Sequence, residues 1–364
     1  MSLACGIVGL PNVGKSTIFN AVTAAGAESA NYPFCTIEPN IGIVDVPDER
    51  LEVIRSFIES KKILPAALKM VDIAGLVEGA SKGEGLGNKF LGNIKEVDAI
   101  AHVVRCFKKG DVVHVHGNVD PVRDIGIIEL ELALADLETV TRNIDRVSKK
   151  ARAGDKDSIV EKEIFERAFS ELEKGTQLRA IEWTGKELAC LKPMFLMTMK
   201  PVLFVANVGD DELDGNTPEV DSVREYAAQT SAEVVVLCGD LECELSTMEP
   251  EDRSEFLAEL GLTESGLTRL IHSAYDLLGM QTFYTAGPKE IRAWNIRQGD
   301  TGPVAAGVIH TDFEKGYIRA EVYSVVDLVE HSSEAAIKAA GKMRIEGRDY
   351  VMADGDVAHF LIGK

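Results

Sequence analysis

Gly9-Leu10-Pro11-Asn12-Val13-Gly14-Lys15-Ser16-Thr17 decides the fold. It fits G-x-x-x-x-G-K-[ST], a glycine-rich turn whose backbone N–H groups cradle phosphates. Upstream, Leu3-Ala4-Cys5-Gly6-Ile7-Val8 is short and apolar, as a buried parallel strand is. Downstream, Ser16 to Ala25 reads as a helix with Ile18, Phe19 and Val22 on one side. Strand, loop and helix in that order aim the helix's free N–H groups and dipole at a bound phosphate. Asn12, Val13, Gly14, Lys15, Ser16 and Thr17 are therefore the expected phosphate-contacting residues. Lys15 neutralises the β- and γ-phosphates and is the expected catalytic charge, while the Ser16 hydroxyl ligates Mg²⁺.

Working outward, Asn31 to Asn40 carries two prolines and cannot be a long helix. A segment at this position in nucleoside-triphosphate switches orders around the γ-phosphate and supplies a second Mg²⁺ ligand. Thr36 is the candidate, with an ordinary surface threonine as its rival. Ile41 to Val46 reads as a strand and Asp48 to Ser60 as a helix. Ala67 to Gly75 is an apolar strand ending in D-x-x-G, which places Asp72 on Mg²⁺ through water and lets the Gly75 N–H approach the γ-phosphate. Many GTPases follow that glycine with a glutamine that orients the attacking water. Here the residue is Leu76, so hydrolysis is slow or another group positions the water. Gly79 to Asn88 is glycine-rich and reads as a second switch or a plain flexible loop. Lys108 to Asn118 holds His114 and His116, either of which substitutes for the glutamine if that loop folds over the phosphates.

Val97 to Phe107 and Pro201 to Asp210 are further apolar strands. The second ends in Asn207-Val208-Gly209-Asp210, where guanine readers have N-K-x-D. Asn207, Val208 and Asp210 are the expected base-site residues. Val208 replaces the lysine that stacks on the base, and Cys238-Gly239-Asp240 replaces the usual Ser-Ala-Lys, so neither half of a guanine pocket is intact. Between these strands, Leu130, Leu137 and Ile144 fall seven apart, interleaved by Ala133, Val140 and Val147, which is a heptad seam. After Ala153-Gly154-Asp155 a second apolar helical stretch completes an antiparallel helical arm. Its tip, Arg142 to Lys156, carries Arg142, Arg146, Lys149, Lys150, Arg152 and Lys156 against Asp145 and Asp155. That reads either as a solvated helix end or as a contact to a phosphate backbone.

Composition bounds the rest. The 364 residues suffice for two or three cores, and 45% hydrophobic with 27% charged content is ordinary for a globular protein. No apolar run reaches the length of a membrane helix and no leader pattern is present, so a cytoplasmic protein with no membrane partner is expected. Six scattered cysteines without a C-x-x-C pair read as free thiols. Cys35 adjoins Thr36 and is either a packed thiol or one whose oxidation blocks loop closure. A net charge of −20 argues against indiscriminate coating of nucleic acid and leaves RNA contact through a local basic patch open; no DNA partner is expected. The tail, Gln281 to Lys364, reads as strands at Phe283–Thr285 and Ile291–Ile296, a short helix Val304–Glu314, a strand Ile318–Val326, and two short strands within Tyr350–Ile362. That is a small α+β domain, with Trp294 in its core.

The blocks Gly9–Ser16, Asn31–Asn40, Asp72–Val77, Gly79–Asn88 and His310–Ala320 together resemble the YchF group of Obg-like ATPases. The resemblance implies an α/β fold: a P-loop NTPase G domain with an inserted antiparallel α-helical coil and a C-terminal α+β β-grasp (TGS) domain. It implies a G domain of residues 1–127 and 195–280, an inserted arm of 128–194 and a TGS domain of 281–364. It further implies preference for ATP over GTP, Mg²⁺ and K⁺ as cofactors, and the ribosome as partner through arm and TGS domain. Leu76 agrees with the hydrophobic residue this family has in place of the glutamine. The family shows N-x-x-E at the base site, whereas this chain has Asp210, the acid a guanine reader uses. An Obg-class GTPase therefore stands as the rival, beside a ribosome-binding module that holds nucleotide only for structure. Nothing in the sequence demands more than a monomer.

Overall fold

The computed structural model describes residues 3–26, 40–73, 86–108 and 118–363. Thr36, Gly75, Leu76, Cys35, His114 and His116, and most of the Gly79–Asn88 loop, lie outside the described residues. In chain order the elements are β1 (Ala4–Val8), α1 (Lys15–Gly26), β2 (Ile41–Asp45), α2 (Arg50–Phe57), β3 (Ile63–Leu64), β4 (Ala67–Asp72), α3 (Leu86–Glu96) and β5 (Ala99–Arg105). They continue with α4 (Pro121–Arg152), α5 (Lys156–Glu173), α6 (Gly185–Leu191), β6 (Val202–Asn207), α7 (Pro218–Gln229), β7 (Glu233–Leu237), α8 (Gly239–Ser246), α9 (Pro250–Glu259) and α10 (Gly266–Leu277). The tail adds β8 (Met280–Ala286), β9 (Ile291–Arg297), α11 (Gly302–Ile309), α12 (Thr311–Gly316), β10 (Tyr317–Ser324), α13 (Val325–His331), α14 (Glu334–Ala339), β11 (Arg344–Glu346) and β12 (Asp356–Ile362). None of the described helices is long and apolar enough to cross a membrane.

Two compact units result. The first is Met1–Ile43 with Lys69–Ala274, and the second is Val44–Leu68 with Tyr275–Lys364. The sequence-based division placed residues 44–68 with the nucleotide-binding strands; the compact units group them with the tail.

The first unit is built on a sheet ordered β2-β4-β1-β5-β6-β7. β1 pairs in parallel with β4 and with β5, β5 with β6, and β6 with β7. Every residue of β1, β5 and β6 is buried, which is why these strands read as unbroken apolar runs rather than alternating ones. Parallel strands point all their carboxyl ends one way, where such sheets bind ligands.

The arm rises from this unit. α4 starts at Pro121, with Asp120 as N-cap accepting from the Arg123 N–H. It ends before Gly154, whose φ of +89° makes the turn into α5. Ala133, Val140 and Val147 pack against Ile164, Phe165, Ala168 and Leu172, with Leu137 and Ile144 at the margin. Leu130, expected in the same seam, is instead 57% exposed. α5 has 18 residues against 32 in α4, so the seam runs out of partner before Leu130 is reached. Polar anchors hold the root. Fully buried Asp136 accepts from the Met197 and Thr198 N–H groups at 3.0 and 2.8 Å and from the Thr198 hydroxyl at 2.7 Å. Glu129, also buried, takes the Arg179 guanidinium and the Tyr226 hydroxyl.

The second unit has a mixed sheet ordered β11-β10-β12-β8-β9-β3. Its core gathers Phe283, Ile296, Ala306, Tyr317, Val322 and Ala358, with Trp294 packed against it and donating to Thr285 Oγ1 at 2.9 Å, as a core residue should. Val44–Leu68 is tied in by β3, which pairs with β9, and by a charged knot. Arg50 bridges Asp48 at 2.8 Å and Asp354 at 2.5 Å, and lies 5.4 Å from the ring of Tyr284, whose hydroxyl donates to Asp48. Two expectations for the tail are corrected. The single helix Val304–Glu314 is two helices, because His310 is extended (φ −158°, ψ 135°) and its Nδ1 caps α12 by accepting from the Asp312 N–H. The two strands within Tyr350–Ile362 are one, β12, because Val351 makes only an isolated bridge to Thr301 before a turn at Gly355 (φ +87°).

A pH-sensitive contact lies on this sheet. Glu334 Oε1 accepts from the Tyr323 hydroxyl at 2.7 Å and pairs with His359 Nε2 at 2.7 Å. The Glu334 bond, with Glu321 nearby, raises the His359 pKa, and the same bond lowers that of Glu334. The histidine contribution is complete below its unfolded value near 6.5 and is lost as pH rises through the folded one. The glutamate contribution is lost as pH falls through its folded value, so the pair stabilises most between the two. Both side chains are more than a third exposed, so screening holds the gain to about 0.3 kcal/mol. Thermal unfolding of His359→Gln against the parent protein should show a larger deficit at pH 5.5 than at pH 8.

Candidate functional site

The loop after β1 closes on itself around Lys15. The Lys15 ammonium, only 7% exposed, donates to the Leu10 carbonyl at 2.8 Å. Burial pulls its pKa down to about 8, partly offset by the charge of Asp72. A cation held this dry gains more from a phosphate than a hydrated one would. Gly14 sits at φ +96°, and a Cβ there would lie 2.2 Å from Asn207 Nδ2. The Ile18 N–H bonds to the Gly14 carbonyl at 3.0 Å, so α1 starts directly from the loop and its first-turn N–H groups face outward. Ser16 is exposed at this terminus, Val13 is buried beneath it, and Asn12 adopts φ +63°.

Asn207, expected at the base site, acts first as a strut. Its amide donates to the Val13 carbonyl at 2.9 Å and accepts from the Gly239 N–H at 2.9 Å. It is buried, and so joins the phosphate loop to both loops at the base end. Val208 is also buried and accepts no ligand charge; its N–H bonds to the Leu237 carbonyl at 2.9 Å. Asp210 is exposed.

Asn12, Gly14, Thr17, Asn207, Val208, Asp210 and Asp240 are among the residues that line one cavity of about 560 Å³. That volume suits a nucleotide. Sequence reasoning missed Phe107, which forms part of its wall. The Arg105 guanidinium lies 4.4 Å from the Phe107 ring centroid, and its Nε donates to the Phe107 carbonyl at 3.2 Å, fixing the ring as a platform. The rule that ligands sit beyond the carboxyl ends of parallel strands would have found it, since Phe107 follows β5 by two residues. Lys108 stands on the wall too, paired at 2.6 Å with Glu219.

Asp72 ends β4, in register with Ile7 of β1. Its Oδ1 is buried and accepts no hydrogen bond among the described residues, and burial raises its pKa against the opposing effect of Lys15. A buried carboxylate oxygen left unsatisfied is costly unless a cation or ordered water completes it. The position therefore fits a hydrated divalent ion beside a phosphate. Of the expected ion and γ-phosphate residues, Ser16 and Asp72 are described, whereas Thr36 and Gly75 are not. His114, the expected water-positioning base, is likewise outside the described residues.

Comparison with known proteins finds relatives along nearly the whole chain. A family model described as a 50S ribosome-binding GTPase matches residues 4–147. The model of the YchF GTPase C-terminal region, described as a protein of unknown function, matches residues 280–363. The chain is 52% identical over 361 residues to the "Ribosome-binding ATPase YchF" of Escherichia coli O157:H7, covering 99% of each. It is 53% identical over 363 residues to the protein of that name from Bacillus subtilis (strain 168), again covering 99% of each. The structure of the Schizosaccharomyces pombe YchF GTPase matches with a TM-score of 0.90 and 37% identity, covering 99% of this chain and 98% of that one.

Proposed function

The chain belongs to the YchF family, and on that premise we propose that it binds ATP, hydrolyses it slowly to ADP and phosphate, and reports its nucleotide state to the ribosome. The cavity carries this reading: phosphate-loop residues and an aromatic wall residue, Phe107, line it together, and Val208 stands where guanine readers have their stacking lysine. Lys15 and the loop's N–H groups would stabilise charge on the γ-phosphoryl group as water attacks in line. Ser16, Thr36 and, through water, Asp72 would hold Mg²⁺, which supplies neutralisation of the phosphate oxygens. Gly75 would face the γ-phosphate. K⁺ is the second ion proposed. Leu76 cannot orient water, so turnover is slow unless His114 or a partner supplies that group. The helical arm and the TGS domain are the proposed ribosome-facing parts of a monomer acting in the cytoplasm.

One observation favours guanine instead. Asp210 is a carboxylate at the base end of the cavity, of the length that pairs with guanine N1–H and N2. Competition of ATP and GTP against a fluorescent nucleotide, with Mg²⁺ present and K⁺ or Na⁺ as the salt, decides between them. ATP should displace the probe at lower concentration, and a clear advantage for GTP would overturn the ATPase reading in favour of an Obg-class GTPase.

A further inference from the structure

A guanidinium closes β5. Arg105, the last residue of that strand, pairs in register with Asn207 of β6 and is only 2% exposed. A buried cation is expensive, and an apolar residue would fill a strand end at lower cost, so the charge needs a reason. Its contacts supply one. The Arg105 Nε–H donates to the Phe107 carbonyl at 3.2 Å, while the guanidinium carbon stands 4.4 Å from the centre of the Phe107 ring. One side chain thus fixes both the backbone and the ring of Phe107, which belongs to the wall of the cavity of about 560 Å³. With the guanidinium on one face of the ring, the other face is left for a flat ligand. Asp124, also 2% exposed, lies in the first turn of α4, a helix that packs against β5. Its charge supports the Arg105 cation against the burial that lowers the arginine's pKa. Asp124 is itself held in place, since Arg123 approaches its Oδ1 at 3.0 Å and donates to the Asn118 carbonyl at 2.8 Å. No residue of α4 is among the described residues that line the cavity.

We infer that Arg105 is a positioning residue for the nucleotide base, held by Asp124 of α4 and acting through the Phe107 ring. A planar cation on one face and a purine on the other make a three-layer stack, whose strength depends on the ring staying fixed between them. The helix that becomes the arm thereby bears on how firmly the base is held. Stacking accepts any purine, so the role concerns affinity and not the choice between adenine and guanine. The inference rests on the nucleotide reading above.

Steady-state hydrolysis of ATP with Mg²⁺ by the full-length protein tests this, alongside thermal unfolding. The base is remote from the γ-phosphate, so weakening its stack removes binding that substrate and transition state share, and KM rises while kcat holds. Phe107→Leu and Arg105→Gln should each raise KM roughly five- to twentyfold, with kcat within about twofold of the parent. The double variant should be no worse than Phe107→Leu alone, because Arg105 acts through that ring. Arg105→Gln also removes one of the cations beside Asp124 and should unfold at a lower temperature. Arg105→Lys controls for that loss. Lysine keeps the charge, but it cannot lie flat on the ring while donating to the Phe107 carbonyl, so KM should rise although the unfolding temperature recovers. Asp124→Asn should raise KM by a smaller factor, and parent KM in that variant would remove α4 from the arrangement. Parent KM in either Arg105 variant, additive losses in the double variant, or a fall in kcat with KM unchanged would overturn the inference. The same series with GTP separates it from the choice of nucleotide. GTP as the better substrate, with the same dependence on Arg105, would overturn the ATP reading and leave the positioning role standing. A parent protein that hydrolyses neither nucleotide would overturn both.

Discussion

Gly14→Ala is expected to abolish measurable nucleotide binding and to lower the unfolding temperature. At φ +96° an alanine is strained by about 1–2 kcal/mol. The larger problem is spatial, since the new Cβ would stand 2.2 Å from Asn207 Nδ2. Asn207 cannot retreat, because its amide is held by the Val13 carbonyl and by the Gly239 N–H at 2.9 Å each. Relieving the overlap means breaking one of those bonds or displacing the loop, at about 1–3 kcal/mol more. A combined cost of roughly 2–5 kcal/mol corresponds to a loss of roughly thirtyfold to several thousandfold in affinity at 1.36 kcal/mol per decade. Titration calorimetry with ATP and Mg²⁺ measures it. Binding within threefold of the parent would show that the loop does not form the phosphate cradle.

Lys15→Ala should behave differently, losing turnover while keeping the fold. Burial of its ammonium opposes folding, as its pKa near 8 records, so removing the charge costs little stability and leaves the unfolding temperature within a few degrees. Hydrolysis, by contrast, loses a cation aimed at the charge that develops on the γ-phosphoryl group. By analogy with single-donor deletions in other active sites, kcat should fall about 10²- to 10³-fold. Single-turnover hydrolysis of ATP reads this directly. A variant that hydrolyses at the parent rate would remove Lys15 from the chemistry. If the variant loses hydrolysis but retains ribosome affinity and cellular role, nucleotide is a structural ligand only.

Much of this site was legible because its constraints are local. A glycine with positive φ, a lysine and a hydroxyl in fixed register need only the loop itself, and the fully buried strands announce themselves as apolar runs. Asn207 was expected at the base site, but its strut role depends on Val13 and Gly239, which are distant in sequence. Leu130 was placed in the heptad seam because the period continues through it, and period alone does not say where the facing helix stops. The break at His310 required knowing that its imidazole would cap the next helix. α13 was missed although Ser324 and Asp327 form a capping box over it, a signal that was present in S-x-x-D. β3 had no such signal, since its two residues become a strand only by pairing with β9.

Those two residues belong to a detour with a practical meaning. The chain leaves the first unit's sheet after Asp45, is fastened into the tail's unit through Arg50 and β3, and re-enters the sheet at Ala67, five residues before Asp72. The tail therefore cannot be cleanly amputated. A protein ended near residue 274 would keep Val46–Ala66 but lose Tyr284, Asp354 and β9, so the 21 residues between β2 and β4 would lose those partners just ahead of Asp72. Loss of activity in such a truncation would report a frayed catalytic segment, and would say nothing of what the tail contributes at the ribosome.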